Sequence, residues 1–176
     1  MTPLRIPALL TALLALAALA PPAARAVDAD SAAPLSSFPT EPVAVETRSA
    51  RRHVFRAWRA ETAEQREQGL MFVKSMAEDE AMIFLYEPPQ YVAMWMKNTF
   101  LPLDMLFVDA RGCVVGVKER ATPHSLATIE SGGPVAVVVE LNAGTVAARG
   151  IRRGDRLLRP SAGWPRDTNA PCPAPR

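Results

Sequence analysis

The sequence predicts an all-β domain, either a compact β-sandwich or a partly closed barrel, with two short helices. Two observations support this fold class. From residue 43 onward, apolar residues recur with a period of two in about seven short segments separated by turn residues. In addition, no helical segment is long enough to connect two parallel strands, which disfavours a parallel α/β architecture. The predicted strands lie at residues 52–60, 81–86, 91–97, 103–109, 113–119, 135–141 and 155–159.

The two predicted helices are short and have recognisable ends. Thr62 and Gln65 form a capping-box pattern at the start of the first helix, and Gly69 supplies its stop. The second helix is expected to use Asn142 as its N-cap and to end at Gly150.

The first 26 residues have the pattern of a cleavable signal peptide. Arg5 supplies the positive charge, residues 6–20 are apolar, and Ala24-Arg25-Ala26 fits a small-x-small cleavage site. The apolar stretch is shorter than the roughly 20 residues that a membrane span needs. We therefore expect an exported protein, periplasmic or secreted, with no membrane span after cleavage.

The remaining chain divides by composition into a folded unit and two flanking segments. Residues 27–42 are rich in Pro, Ser and Ala, and residues 160–176 are rich in Pro. Such segments bury too little apolar surface to offset the entropy of ordering them. The sequence thus predicts a disordered linker at 27–42, one β domain at 43–159 and a disordered tail at 160–176.

The charge balance disfavours nucleic acid as a partner. The whole chain has 20 basic and 18 acidic residues, a formal net charge of +2. Removal of the predicted signal peptide takes away Arg5 and Arg25 but no acidic residue, which leaves a neutral chain. Nucleic-acid-binding domains usually carry a basic excess.

The two cysteines admit two interpretations. In an oxidising compartment, Cys113 and Cys172 could form a disulfide, which would close a loop of about 60 residues and contribute roughly 4 kcal/mol. Alternatively, Cys113 is a small buried strand residue and Cys172 is a free thiol in the tail. The sequence alone leaves both open.

Polar residues at strand ends form one candidate site. Lys97 and Asn98 follow a strand that is apolar on both sides, and Asp104 lies near the start of the next predicted strand. Glu140 ends an apolar run, where binding groups are often found in sheet proteins. The candidate ligand-binding residues are Trp95, Lys97, Asn98, Asp104, Glu140 and Asn142.

A structural interpretation competes with this candidate site. Lys97 and Asp104 could form an ion pair that fixes strand register, since an isolated buried charge is costly. Glu140 and Asn142 could instead satisfy backbone groups at the start of the second helix.

Three functions of different classes therefore stay open. The first is non-enzymatic binding of a small polar ligand, such as a saccharide or an envelope fragment. The second is a structural or accessory role in the cell envelope. The third is hydrolysis, with Asp104 and Glu140 as an acid/base pair.

No cofactor is expected, because the chain has two histidines and no metal-ligand spacing. Several methionines could bind Cu(I), although packing in an irregular core is the simpler interpretation. These methionines are Met71, Met76, Met82, Met94, Met96 and Met105.

Residues 59–158 resemble the uncharacterised bacterial and archaeal family called domain of unknown function 192. The resemblance lies in five groups of residues, in order along the chain. They are Arg66-Glu67-Gln68-Gly69-Leu70-Met71-Phe72, Trp95-Met96-Lys97-Asn98-Thr99 with Pro102-Leu103-Asp104, Phe107-Val108-Asp109, Glu140-Leu141-Asn142-Ala143-Gly144, and Gly150-Ile151 with Gly154-Asp155. The resemblance implies a compact β-sandwich, often behind a signal peptide, and no established activity.

Overall fold

The computed structural model describes residues 29, 32–162, 164–165 and 170–173. The predicted signal peptide, residues 1–26, lies outside these ranges. Within them, no helix has the length and the apolar character needed to cross a membrane.

The described chain forms one seven-stranded sheet with two short helices. The sheet order is β5-β4-β6-β3-β2-β1-β7. The strands are β1 (Thr40–Glu46), β2 (Arg52–Ala60), β3 (Glu80–Met94), β4 (Leu103–Val108), β5 (Val114–Ala121), β6 (Ile129–Asn142) and β7 (Arg156–Leu158). The helices are α1 (Ala63–Gln68) and α2 (Thr145–Arg149), and 3-10 turns lie at Leu35–Ser37 and Pro160–Ala162.

The sheet curls until its two edges meet. The backbone N–H of Val114 donates to the Asp155 carbonyl at 2.8 Å, and Gly154 N–H donates back to the Val114 carbonyl at 2.8 Å. A further bond joins Leu157 N–H to the Gly112 carbonyl at 2.8 Å. These bonds give a partly closed barrel, and the predicted all-β fold class is confirmed.

A disulfide lies beside this seam. Cys113 precedes β5 and bonds to Cys172, with a Cα–Cα distance of 5.4 Å and a sequence separation of 59 residues. In the chain-entropy picture, closing a loop of that length stabilises the fold by about 4 kcal/mol. The bond also attaches the C-terminal segment, predicted to be disordered, to the seam.

Three features of the sheet differ from the sequence prediction. β1 corresponds to none of the predicted strands, and it begins at Thr40, within the predicted linker. The predicted strands 81–86 and 91–97 form the single strand β3, whose pairing with β6 is irregular between Leu85 and Gln90, where two prolines interrupt the ladder. β2 and β3 pair in parallel, because α1 and the loop after it carry the chain back to the starting end of the sheet.

Both faces of the sheet are apolar. One cluster contains Trp58, Phe84 and Met105, together with Leu70 from the loop after α1. The other contains Phe55 and Ile83, together with Val146 of α2. Met71 is buried, and the other methionines considered above belong to the first cluster or pack against it: Met76, Met82, Met94, Met96 and Met105.

Candidate functional site

A cavity of about 200 Å³ opens between α1, β3 and the end of β6. The capping box of Thr62 and Gln65 begins α1 as predicted, and Gly69 ends the helix at φ +50°. A Cβ at Gly69 would lie 3.0 Å from the ring of Phe84, which lines the cavity. Glycine therefore allows the chain after α1 to pass close to the cavity wall.

Glu140 is the most unusual residue of this cavity. Its side chain is only 4% exposed, and it lies opposite Met82 and Met105 in the sheet. Its Oε2 atom is buried and has no hydrogen-bond partner among the described residues. Burial raises the pKa of the Glu140 carboxyl to about 8, so the group is mostly protonated at neutral pH.

Tyr86 and Arg66 form the wall beside Glu140. Burial raises the pKa of the Tyr86 phenol to about 12, with Glu140 adding to the shift and Arg66 opposing it. The Arg66 guanidinium lies 5.4 Å from the centre of the Tyr86 ring. It also donates to the Leu85 carbonyl at 3.1 Å and to the carbonyl of Glu61. These contacts hold a cation and a neutral phenol in place at the cavity.

Trp95 and Lys97 line the cavity just after β3 ends. The Trp95 side chain is 44% exposed, and the Lys97 Nζ lies 5.2 Å from its ring centroid. The intervening Met96 is buried, and its N–H donates to the Ser125 carbonyl at 3.0 Å. The alternation along this segment thus buries Met96 in the core, while Trp95 and Lys97 on either side of it point to the cavity.

Asp104 has a different environment, away from the cavity lining. Its buried carboxylate accepts three backbone N–H groups, from Arg120, Gly144 and Val146, each at 2.9 Å. Two of these donors lie at the start of α2, whose N-cap Gly144 has no side chain to cap it. The ion pair with Lys97 considered above is wrong, because Asp104 binds main-chain donors and forms no ion pair among the described residues.

The two asparagines also lie outside the cavity lining. Asn142 ends β6 and is not the N-cap of α2, so that prediction is wrong. Its amide donates to the carbonyls of Met76 and Ala77 at 2.9 and 3.0 Å, which holds the loop before β3. Asn98 takes a left-handed conformation (φ +55°), and its carbonyl accepts the N–H of Phe72 at 2.9 Å.

The structure thus brings three of the six candidate residues to one cavity: Trp95, Lys97 and Glu140. Sequence reasoning missed Arg66 and Tyr86. Arg66 lies in a motif shared with the resembled family, which could have identified it. Tyr86 ends an ordinary apolar strand pattern, and no signal in the sequence separates it from a core residue.

The described residues were also considered as ligands for a metal ion held by imidazole, thiolate or carboxylate groups. No group of three or more His, Cys, Asp or Glu side chains could hold an ion within the described ranges. The Asp104 carboxylate already binds three backbone N–H groups, and Glu140 has no second carboxylate in the cavity lining except Glu67. The two cysteines are bonded to each other.

The chain is similar to solved structures of other proteins, two of which are described here. A Sinorhizobium meliloti protein described as a candidate transcription regulator is 48% identical, with a TM-score of 0.69, covering 70% of this chain and 96% of that one. A protein of unknown function from Novosphingobium aromaticivorans is 37% identical, with a TM-score of 0.69, covering 72% of this chain and 89% of that one. Among curated proteins, none matches.

The family comparison agrees with the resemblance seen in the sequence. The family model of DUF192, described as an uncharacterized ACR, matches residues 44–158, from β1 to the end of β7. The match includes α1, the loop of Trp95 and Lys97, and Glu140, so every cavity residue discussed above lies within it. The chain belongs to the DUF192 family.

Proposed function

We propose that this chain is a non-enzymatic binding protein whose cavity takes a small polar ligand, such as a saccharide or a fragment of the cell envelope. One observation carries the proposal: the buried Oε2 atom of Glu140 has no hydrogen-bond partner among the described residues. A buried polar atom without a partner is costly, and a ligand hydroxyl would satisfy it.

The chemistry of the wall suits a ligand with hydroxyl groups. A protonated carboxyl both donates and accepts a hydrogen bond, as does the neutral phenol of Tyr86. Trp95 offers an apolar face, while Lys97 and Arg66 offer positive charge to an acidic substituent. Apolar side chains such as Phe84 and Met94 share the wall with these polar groups, so the carbon faces of a ligand can also be covered.

The size of the cavity limits the ligand. Its volume of about 200 Å³ is below the roughly 300–1,000 Å³ typical of pockets for drug-sized molecules. We therefore expect one sugar ring, or one residue of a longer chain, to enter it.

Hydrolysis by an Asp104–Glu140 pair is not supported by the geometry. Both Asp104 oxygens accept backbone N–H groups at the start of α2 and beside β5, and Asp104 does not line the cavity. A general base needs access to a substrate proton, which these bonds deny to Asp104.

Export is part of the proposal. The positive residue, the short apolar stretch and the small-x-small site at residues 1–26 support it. The ligand would then come from the envelope or from outside the cell.

A thermal-shift screen of the chain beginning at Val27, which keeps every described residue, tests the proposal. The probes are neutral hexoses, amino sugars, uronic acids and small peptidoglycan fragments, with titration calorimetry on any hit. We expect E140L to abolish binding, because leucine cannot hydrogen-bond. E140Q imitates the neutral acid and should keep most of the affinity.

Two matched lysine variants separate a site contact from a general charge effect. K97Q should lower the affinity for a probe found in the screen. K118Q, at an exposed lysine on β5, should leave that affinity unchanged. The proposal fails if no probe in the screen binds, or if E140L binds as tightly as the wild type.

A further inference from the structure

Four exposed arginines lie on two neighbouring turns at one end of the sheet. Arg48 and Arg51 lie on the turn between β1 and β2, and Arg152 and Arg153 lie on the turn between α2 and β7. We call these four residues the arginine surface. None of them takes part in an ion pair within the described ranges.

A buried carboxylate holds the two turns together. Asp155 is 1% exposed, and its Oδ1 accepts the backbone N–H of Arg48 at 2.9 Å. Its Oδ2 accepts the backbone N–H of Arg152 at 2.7 Å. Both oxygens therefore bind main-chain donors, so the juxtaposition of the turns is built into the fold.

The side chains of the first turn lie across the second turn. A Cβ at Gly150 would lie 3.0 Å from Nη2 of Arg51. A Cβ at Gly154 would lie 3.1 Å from Nε of Arg48. Because Arg152 and Arg153 lie between these two glycines in the chain, the four positive charges share one small surface.

Such a concentration of like charge favours an anionic partner. Clustered exposed cations repel one another, and the repulsion is relieved by salt or by a bound anion. Guanidinium groups bind phosphate oxygens with paired hydrogen bonds. Arginine therefore recognises phosphate with more defined geometry than lysine does.

We propose that the arginine surface docks the protein on an anionic membrane through the phosphates of its phospholipids. All four arginines are exposed, so their guanidinium groups are accessible to a flat surface. The exposed aromatic residues Tyr91, Trp95 and Phe100 lie on β3 and the loop after it, so no aromatic residue on these turns is available to stack on bases. The adjacent helix α2 has only five residues, too few to read a groove.

The docking surface is separate from the cavity and does not depend on its ligand. It draws on the proposed export only for the location of the membrane. We therefore expect E140L, which removes the cavity carboxyl, to bind vesicles as the wild type does. Failure of the cavity proposal would then leave the docking proposal standing, and the reverse also holds.

Sedimentation with vesicles tests the docking. The chain beginning at Val27 is mixed with vesicles of phosphatidylcholine, with and without phosphatidylglycerol. We expect binding only to the anionic vesicles, weakening as salt is raised. At about five-fold per arginine, R152Q/R153Q should lower the partition coefficient roughly 25-fold.

A matched pair of lysines supplies the control. K74Q/K118Q removes the same net charge at exposed positions elsewhere and should lower binding far less. Unchanged thermal melting of both double variants shows that they fold.

Three outcomes would overturn the docking proposal. One is equal binding to neutral and anionic vesicles, and another is an equal loss of binding in the two double variants. The third is tighter binding to a short DNA duplex than to anionic vesicles, with the same sensitivity to R152Q/R153Q, which would assign the surface to nucleic acid.

Discussion

Asp104 and Glu140 lie on neighbouring strands and are both buried, yet their surroundings are opposite. Asp104 accepts three backbone N–H groups, so both of its oxygens have hydrogen-bond partners. Glu140 has an oxygen with no hydrogen-bond partner among the described residues, and burial raises its pKa to about 8. The first carboxylate joins β4, β5 and α2, whereas the second lines a cavity. Burial alone therefore does not distinguish the two carboxylates, whereas the number of hydrogen-bond partners does.

The sharpest test of this contrast is the pH dependence of stability. An ordinary glutamate titrates near 4.5, so between pH 4.5 and 8 the folded chain holds a proton at Glu140 that the unfolded chain has released. The contribution of Glu140 to stability therefore falls as pH rises through this range and is constant above it. The whole change is on the order of 5 kcal/mol.

Urea denaturation of the wild type and E140Q at several pH values measures this change. E140Q lacks the ionisation, so its advantage over the wild type should grow from pH 5 to pH 8. A stability difference that stays constant across that range would contradict the buried, protonated state of Glu140.

The opposite result is expected for Asp104. In D104N, one oxygen becomes an NH₂ group that faces a backbone N–H, and the charge-assisted bonds to α2 weaken. We expect a loss of about 3 kcal/mol in the free energy of unfolding, measured in urea. E119Q, at an exposed carboxylate on β5, is the control and should change stability little. An equal loss of stability in D104N and E119Q would contradict the structural role proposed for Asp104.

Substitution of Asn142 should lower stability as substitution of Asp104 does, but by less. N142A removes two hydrogen bonds, to the carbonyls of Met76 and Ala77. We expect a loss of about 1.5 kcal/mol in stability and no change in the affinity of a ligand found by the screen. Calorimetric titration of N142A checks the second point, and weakened binding would place Asn142 in the site after all.

Trp95 should show the smallest effect on stability and a clear one on binding. Because its side chain is 44% exposed, W95A should change the free energy of unfolding by only about 0.5 kcal/mol. Ligand affinity should fall, whereas Y91A, at a 75% exposed aromatic residue outside the cavity, should leave it unchanged. A similar affinity in both variants would exclude Trp95 from the site.

The two ends of the first helix and the positions of most strands were predictable, because they depend on local chemistry. The Thr62 and Gln65 capping box, the stop at Gly69 and the period-two pattern of β2 act over a few residues. Local patterns failed at β3, where the two predicted strands 81–86 and 91–97 are one strand that pairs with β6 on both sides of an irregularity. They also failed at Asn142, a good N-cap by type whose amide binds a distant loop instead.

The sequence by itself therefore determined the all-β class, most strand positions and the family, together with the presence of Trp95, Lys97 and Glu140 in one polar set. Only the tertiary structure decided which members of that set share a cavity, and that Cys113 and Cys172 are bonded. It also decided that Asp155 holds two arginine-bearing turns side by side. The physical reason is the same in each case: hydrogen-bond partners, burial and pKa depend on segments brought together across 40 to 107 residues of chain.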